Sequence, residues 1–173
     1  EDSFYRTDRL DYIFRYRRNH TIAALLSIVY QLDAIRTMHR TAVTKGWCFP
    51  SFTNDSKFML CNFYHPQVKD AVANDWEMEN GNICIFTGSN MAGKSTTLKA
   101  IASAVWLAHA GFPVPASSMV CPMFDGIFTS INLPDSLRDG RSHFYAEVLR
   151  IKSILEKVKE EDAYFIVFDE LFR

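Results

Sequence analysis

The sequence has no pair of cysteines at the spacing of a zinc or dithiol site. Its four, Cys48, Cys61, Cys84 and Cys121, are widely scattered. That distribution speaks for reduced thiols in a cytoplasmic protein and against a disulfide framework. There is no uninterrupted apolar stretch of about twenty residues and no signal-peptide pattern, so this segment is not expected to cross a membrane. Neither sign of charge is in excess: 19 Lys and Arg against 20 Asp and Glu give a formal net charge of -1. A basic surface for nucleic acid must therefore be local, and overall charge says nothing for it. Internal repeats and low-complexity segments are also missing. What is present is 173 residues with 48% hydrophobic content, enough for one domain with a core, or a domain with a helical extension.

Residues 1–19 interleave aromatics with arginines. A nucleic-acid or acidic-membrane patch is one reading. Glu1, Asp2, Asp8 and Asp11 nearly cancel the arginines, which favours an amphipathic segment covering its neighbour's core. Ile22, Leu25, Leu26, Val29, Leu32 and Ile35 then recur at helical spacing, predicting one long helix from His20 to about Thr44, ended by Gly46. Lys57–Phe63 reads as a short strand, Tyr64-His65-Pro66 as a turn, and Ile83–Thr87 as a second strand. His65 is read as a turn residue rather than a ligand.

Leu98, Ile101, Ala102, Val105 and Ala108 mark a buried helix face, closed by Gly111 and Pro113. Gly126–Ile131 is another strand. Phe144, Val148, Ile151, Leu155 and Val158 form a helical stripe, and Tyr164–Phe168 is a fully apolar strand ending in Asp169 and Glu170. Strands that read as continuous apolar runs and alternate with helices predict a mostly parallel sheet flanked by helices.

The chemistry is concentrated after Phe86. Gly88, four residues, then Gly93-Lys94-Ser95 fit the phosphate-loop pattern. Glycines allow a close backbone approach that a Cβ would block. The loop N–H groups and the following helix terminus converge on phosphate oxygens. Lys94 is expected to reach the β- and γ-phosphates of ATP, and Ser95 to offer its hydroxyl to Mg²⁺. Asp169, at the end of an apolar strand, is expected to hold Mg²⁺, with Glu170 activating the attacking water. Ser142 stands just before the last helix. It is either an ordinary N-cap or part of a second anion-binding helix end that reaches a γ-phosphate held by another subunit.

In order and spacing, "TGSNMAGKST", "GFPVPA", "IFTSI", "DGRSHFYAEV" and "FIVFDE" resemble the MutS family of DNA mismatch repair ATPases. "YQLDAI" and "YHPQV" resemble that family's lead-in helix and His-Pro turn. The resemblance covers about residues 20–173. It implies an ABC-ATPase-like P-loop NTPase fold with an N-terminal helical lead-in. Residues 1–45 would come from a preceding lever or core region, and 46–173 would form the ATPase domain, truncated just after the acidic pair.

The resemblance further implies that Gly88, Ser89, Asn90, Met91, Ala92, Gly93, Lys94, Ser95 and Thr96 bind the triphosphate, with Asn90 near the γ-phosphate. Ser95 and Asp169 would hold Mg²⁺, while Glu170, Lys94 and Ser142, the last in trans across a homodimer, would be catalytic. ATP exchange would drive a clamp around double-stranded DNA through regions mostly outside this segment, with a downstream repair protein as a further partner. The sequence departs from the family at several points. Ser89 and Ala92 replace a proline and a glycine, and Ala92 is expected to narrow the loop's backbone choices. Ala71 stands where many members carry an aromatic against adenine, leaving Val72 or another ring to support the base. His143 replaces a threonine and is read as an ordinary polar helix residue.

Other readings are open. A transporter or chromosome-structure ABC ATPase would carry a Leu-Ser-Gly-Gly-Gln-like signature, which "LRDGRSHF" lacks. A small-molecule kinase would not need adjacent Asp and Glu. A nucleotide-regulated dimerisation module without significant hydrolysis would not need Lys94, Ser95, Asp169 and Glu170 together. The chain stops three residues past Glu170, and a longer protein is expected.

Overall fold

The computed structural model describes residues 2–79, 82–131 and 143–171, the side chains of 2–6, 143 and 144 excepted. The chain divides into two compact units, Glu1–Thr41 and Ala42–Arg173. No helix among the described residues is long and apolar enough to cross a membrane.

The first unit holds helix α1 (Asp2–Tyr12), a π-helical turn (Ile13–Arg17) and most of α2 (Asn19–Lys45). Tyr12 and Tyr16 stack at 5.6 Å, and Arg15 Nε donates to Asp11 Oδ1 at 2.7 Å. Both members of that ion pair are exposed, so it adds little stability. The long helix follows the predicted boundaries to within a residue. Its apolar residues Leu25, Leu26, Val29, Leu32 and Ile35 are exposed.

The second unit begins within the last turn of α2, at Ala42. Gly46 takes φ +65°, the left-handed conformation that closes a helix at no steric cost to glycine. Strands β1 (Ser51–Thr53), β2 (Phe58–Phe63), β3 (Asn74–Met78) and β4 (Ser118–Pro122) form one sheet in the order β1-β4-β2-β3. β1 pairs parallel with β4, whereas β2 runs antiparallel to both β3 and β4. Strands β5 (Gly126–Ser130) and β6 (Tyr164–Phe168) make a separate parallel pair, in register from Gly126↔Tyr164 to Ser130↔Phe168. Gly126 is required there, because a Cβ would sit 2.9 Å from the Tyr164 ring.

Helix α3 (Lys94–His109) supplies Ala100, Ile101, Ala104, Val105 and Ala108 to the core, against Phe58, Leu60 and Phe63 of β2 and Met119 and Cys121 of β4. Helix α4 (His143–Leu155) follows β5.

This architecture corrects the expected mostly parallel P-loop sheet flanked by helices: the chain is a small α/β structure with four α-helices among the described residues and a mixed, partly antiparallel main sheet. Two causes are visible. β2 alternates, with Phe58, Leu60 and Phe63 buried and Asn62 exposed, the pattern of a strand that meets the core with one face. The run Ile83–Thr87 forms no strand at all. Ile83 and Ile85 are 83% and 80% exposed, and of this run Phe86 packs, 6.2 Å from Trp76. A short apolar run shows a preference for burial without fixing which edge it pairs with.

The α4 stripe is also rotated from expectation. Glu147 and Ile154 are buried with Ile151 half-buried, whereas Val148 and Leu155 are exposed. Phe144 lies outside the described side chains.

Candidate functional site

The loop before α3 is shaped by three residues at positive φ: Gly88 at +156°, Met91 at +64° and Gly93 at +88°. Glycine reaches these values freely. Methionine does so at a cost of about 1 kcal/mol or more, and such strain concentrates at functional sites. The Ala92 N–H donates to the Ser89 carbonyl at 3.3 Å, closing a turn around Asn90 and Met91. Ala92 is not among the positive-φ residues, so it holds a backbone conformation that an alanine adopts without strain.

Gly93 is the N-cap of α3, and its carbonyl accepts the first helical bond from Thr97 N–H at 2.8 Å. No side chain caps this end. The N–H groups of Lys94, Ser95 and Thr96 therefore lack intrahelical acceptors and carry the positive end of the helix dipole. The Lys94 ammonium folds back into the loop, donating to the carbonyls of Gly88 at 2.7 Å and Ser89 at 2.8 Å. Gly88, Ser89, Asn90, Met91, Ala92 and Thr96 are exposed, while Gly93, Lys94 and Ser95 are half-buried. An uncapped helix N-terminus with a half-buried cation beside it is suited to an oxyanion.

Asp169 follows the last residue of β6, and its N–H extends the β5–β6 ladder to Ser130 O at 3.0 Å. One carboxylate oxygen, Oδ2, is buried without a hydrogen-bond partner. A buried, unpartnered carboxylate oxygen is costly in isolation and suits a cation. No cluster of three or more His, Cys, Asp or Glu among the described residues could hold a metal by itself. Any ion here would therefore need further oxygen ligands beyond these side chains. Magnesium, which retains waters and takes one or two protein oxygens beside phosphates, fits that donor set.

Glu170 is exposed and sits at φ +52°, a strained value for a non-glycine residue. Val72 is exposed in the β2–β3 connection, where its carbonyl accepts from Asn74 Nδ2 at 3.1 Å. Ser142 lies outside the described residues, as does the side chain of His143. His65 is a turn residue: its Nδ1 accepts from the Gln67 N–H at 3.3 Å and its carbonyl from Val68 N–H at 3.1 Å.

A cavity of about 710 Å³ is lined by an aromatic cluster including Phe58, Trp76, Phe86, Phe124 and Phe165, and by none of residues 88–96 or Asp169. The chemistry of the donors, rather than cavity size, marks the loop as the site. Sequence reasoning missed Met91's strained conformation and the buried Ser130 and Glu147. Glu147 was detectable as the one acid in the stripe that also contains Ile151 and Ile154.

The α/β chain carries a strained, glycine-bearing loop that runs into an uncapped helix led by lysine. The family model described as MutS domain V matches residues 84–173, which include this loop and both acids. The chain belongs to the MutS family, with domain V over those residues. It is 35% identical over 157 residues to the DNA mismatch repair protein MutS of Pseudothermotoga lettingae, covering 88% of this chain and 19% of that protein. It is 37% identical over 150 residues to MutS of Persephonella marina, covering 84% of this chain and 17% of the other. The chain thus spans less than a fifth of the length of these relatives.

Proposed function

We propose that residues 88–96 bind the triphosphate of ATP and that the chain is the ATP-binding and ATP-hydrolysing part of a MutS-like DNA mismatch repair protein. The observation that carries the reading is the uncapped α3 terminus behind the strained Gly88–Gly93 loop, with the Lys94 ammonium held inside it. The helix end and loop amides would take the phosphate oxygens, with Asn90 near the γ-phosphate and Val72 beneath the base. Lys94 would exchange its two loop carbonyls for phosphate. Ser95 and Asp169 would hold Mg²⁺, which when bound neutralises phosphate charge. Asp169 would then satisfy its buried oxygen, and Glu170 would orient water.

On this reading residues 1–45 lead in from another region and 46–173 handle the nucleotide. The whole protein acts in the cytoplasm as a homodimer, with Ser142 completing the partner's site. ATP turnover there alters a clamp on double-stranded DNA and the docking of a downstream repair protein. Titration calorimetry on the intact protein tests the first step. Saturable ATP uptake that tightens with Mg²⁺ is expected, and no uptake overturns the reading. Glu170→Gln should then retain binding while losing turnover, and unchanged turnover removes the role assigned to Glu170.

A further inference from the structure

A groove of about 520 Å³ runs between the outer face of α3 and β5. Lys99, Ser103 and Trp106, spaced four and three residues apart, form the helix wall, with Ile127, Thr129 and Ile131 opposite and the His65–Gln67 turn at one end. Trp106 is 60% exposed, while its helix neighbours Ala104 and Val105 are fully buried. An indole held on the outside of a helix leaves a large apolar surface in water.

The β5 wall is also a strand edge. β5 pairs only with β6 among the described residues. Ser130 O accepts from Asp169 N–H, so Ser130 points its backbone toward β6. Strand alternation then turns the backbone groups of Ile127 and Thr129 to the opposite, open edge. Arg150 Nη2 donates to Thr129 O at 3.1 Å, which caps that one carbonyl and leaves both groups of Ile127 and the Thr129 N–H on the edge. Among the described lining residues Lys99 is the one formally charged side chain and none is acidic, and Arg150 brings a second cation to the rim.

We propose that this groove binds an extended peptide of a partner protein, one that presents apolar side chains and one acidic side chain at alternate positions on a single face and adds as a strand to the β5 edge. Its backbone bonds to Ile127 and Thr129, its apolar side chains cover Trp106 and Ile127, and a carboxylate meets Lys99. Backbone pairing at a free edge supplies affinity, while the indole and the lysine select the sequence. The groove is separate from the anion loop, so the inference stands independently of nucleotide binding.

The test uses the full-length protein with an end-blocked, labelled hexapeptide of sequence Val-Ser-Val-Ser-Glu-Ser, and the same peptide with lysine for glutamate as control. Fluorescence anisotropy should show saturable binding of the acidic peptide and at least roughly tenfold weaker binding of the basic one. Trp106→Ala and Lys99→Glu should each weaken the acidic peptide by roughly tenfold, with circular dichroism unchanged. Hydrogen exchange should slow at the Ile127 and Thr129 amides on binding. Equal affinity for the two peptides, no saturable binding, or binding indifferent to both substitutions overturns the proposal. So does protection of those amides by self-association of the protein without peptide.

Discussion

The ammonium of Lys94 lies 2.7 Å from the carbonyl oxygen of Gly88, six residues back, so the first residue of α3 ties down the start of the loop that precedes it. One side chain braces the loop and, in the proposed function, also offers its charge to the phosphate. Replacing it with methionine removes both. ATP affinity of the intact protein should fall at least about tenfold, the scale of a lost charge-assisted bond. Hydrogen exchange at the amides of residues 89–93 should quicken even without nucleotide. ATP affinity within a factor of two of the original would end the assignment of Lys94 to phosphate.

Asp169 gives a prediction of opposite sign for folding and for binding. Its Oδ2 is buried and unpartnered, so the carboxylate carries a desolvation cost with no compensating bond in the protein itself. Asp169→Asn should raise unfolding stability in EDTA by about 1–3 kcal/mol, the cost of an unsatisfied buried group. The same variant should lose the stabilisation that Mg²⁺ and ATP give the original. Denaturant titrations with and without Mg²⁺–ATP measure both effects. A variant less stable in EDTA that still responds to Mg²⁺ would show that the oxygen is not a cation ligand.

Legibility in the sequence followed how local the cause was. The long helix α2 and the core face of α3 were readable because period 3.6 is written into Leu25, Val29 and Leu32 and into Ile101, Val105 and Ala108. The loop was readable because glycine marks positions where only a positive φ will do, as at Gly88 and Gly93. Strand partnership was not readable. β1, β3 and β4 are short and partly polar, so Asn74–Met78 passed as a polar lead-in. The apolar run Ile83–Thr87 passed as a strand that the fold does not form. Pairing depends on residues far along the chain, as in Leu60↔Met119, and no local pattern encodes it. For α4 the eye follows the apolar residues, whereas the helix buries Glu147 alongside Ile154 and leaves Leu155 out.

Cys121 ties stability to alkaline pH. It is fully buried, and burial pushes its thiol from the ordinary 9.0 up to about 11. The folded chain therefore keeps this proton where the unfolded chain loses it. The stabilisation is complete below about pH 9 and is lost as pH rises toward about 11. Two units correspond to a change on the order of 2–3 kcal/mol. Urea midpoints measured from pH 8 to 10.5 should decline, and Cys121→Val should flatten the part of that decline due to the thiol. Identical slopes in the two proteins would assign the alkaline loss to other groups.

His109 fastens the end of α3 to the segment entering β5. Phe124 N–H donates to its Nε2 at 2.9 Å, which makes that nitrogen the acceptor, so Nδ1 carries the proton and donates to Val105 O at 2.8 Å. The ring also stacks on Phe124 at 5.5 Å and meets Phe52 edge-on at 5.3 Å. Apolar packing and hydrogen bonding can be separated here. His109→Phe retains a ring for both contacts but leaves the Phe124 N–H without its acceptor, at a cost of about 1–3 kcal/mol. His109→Gln, whose amide oxygen can accept from Phe124, should recover part of that loss despite giving up the ring. Chemical denaturation of the three proteins decides the matter. If His109→Phe unfolds within about 0.5 kcal/mol of the original, packing alone secures this corner and the bond to Phe124 is dispensable.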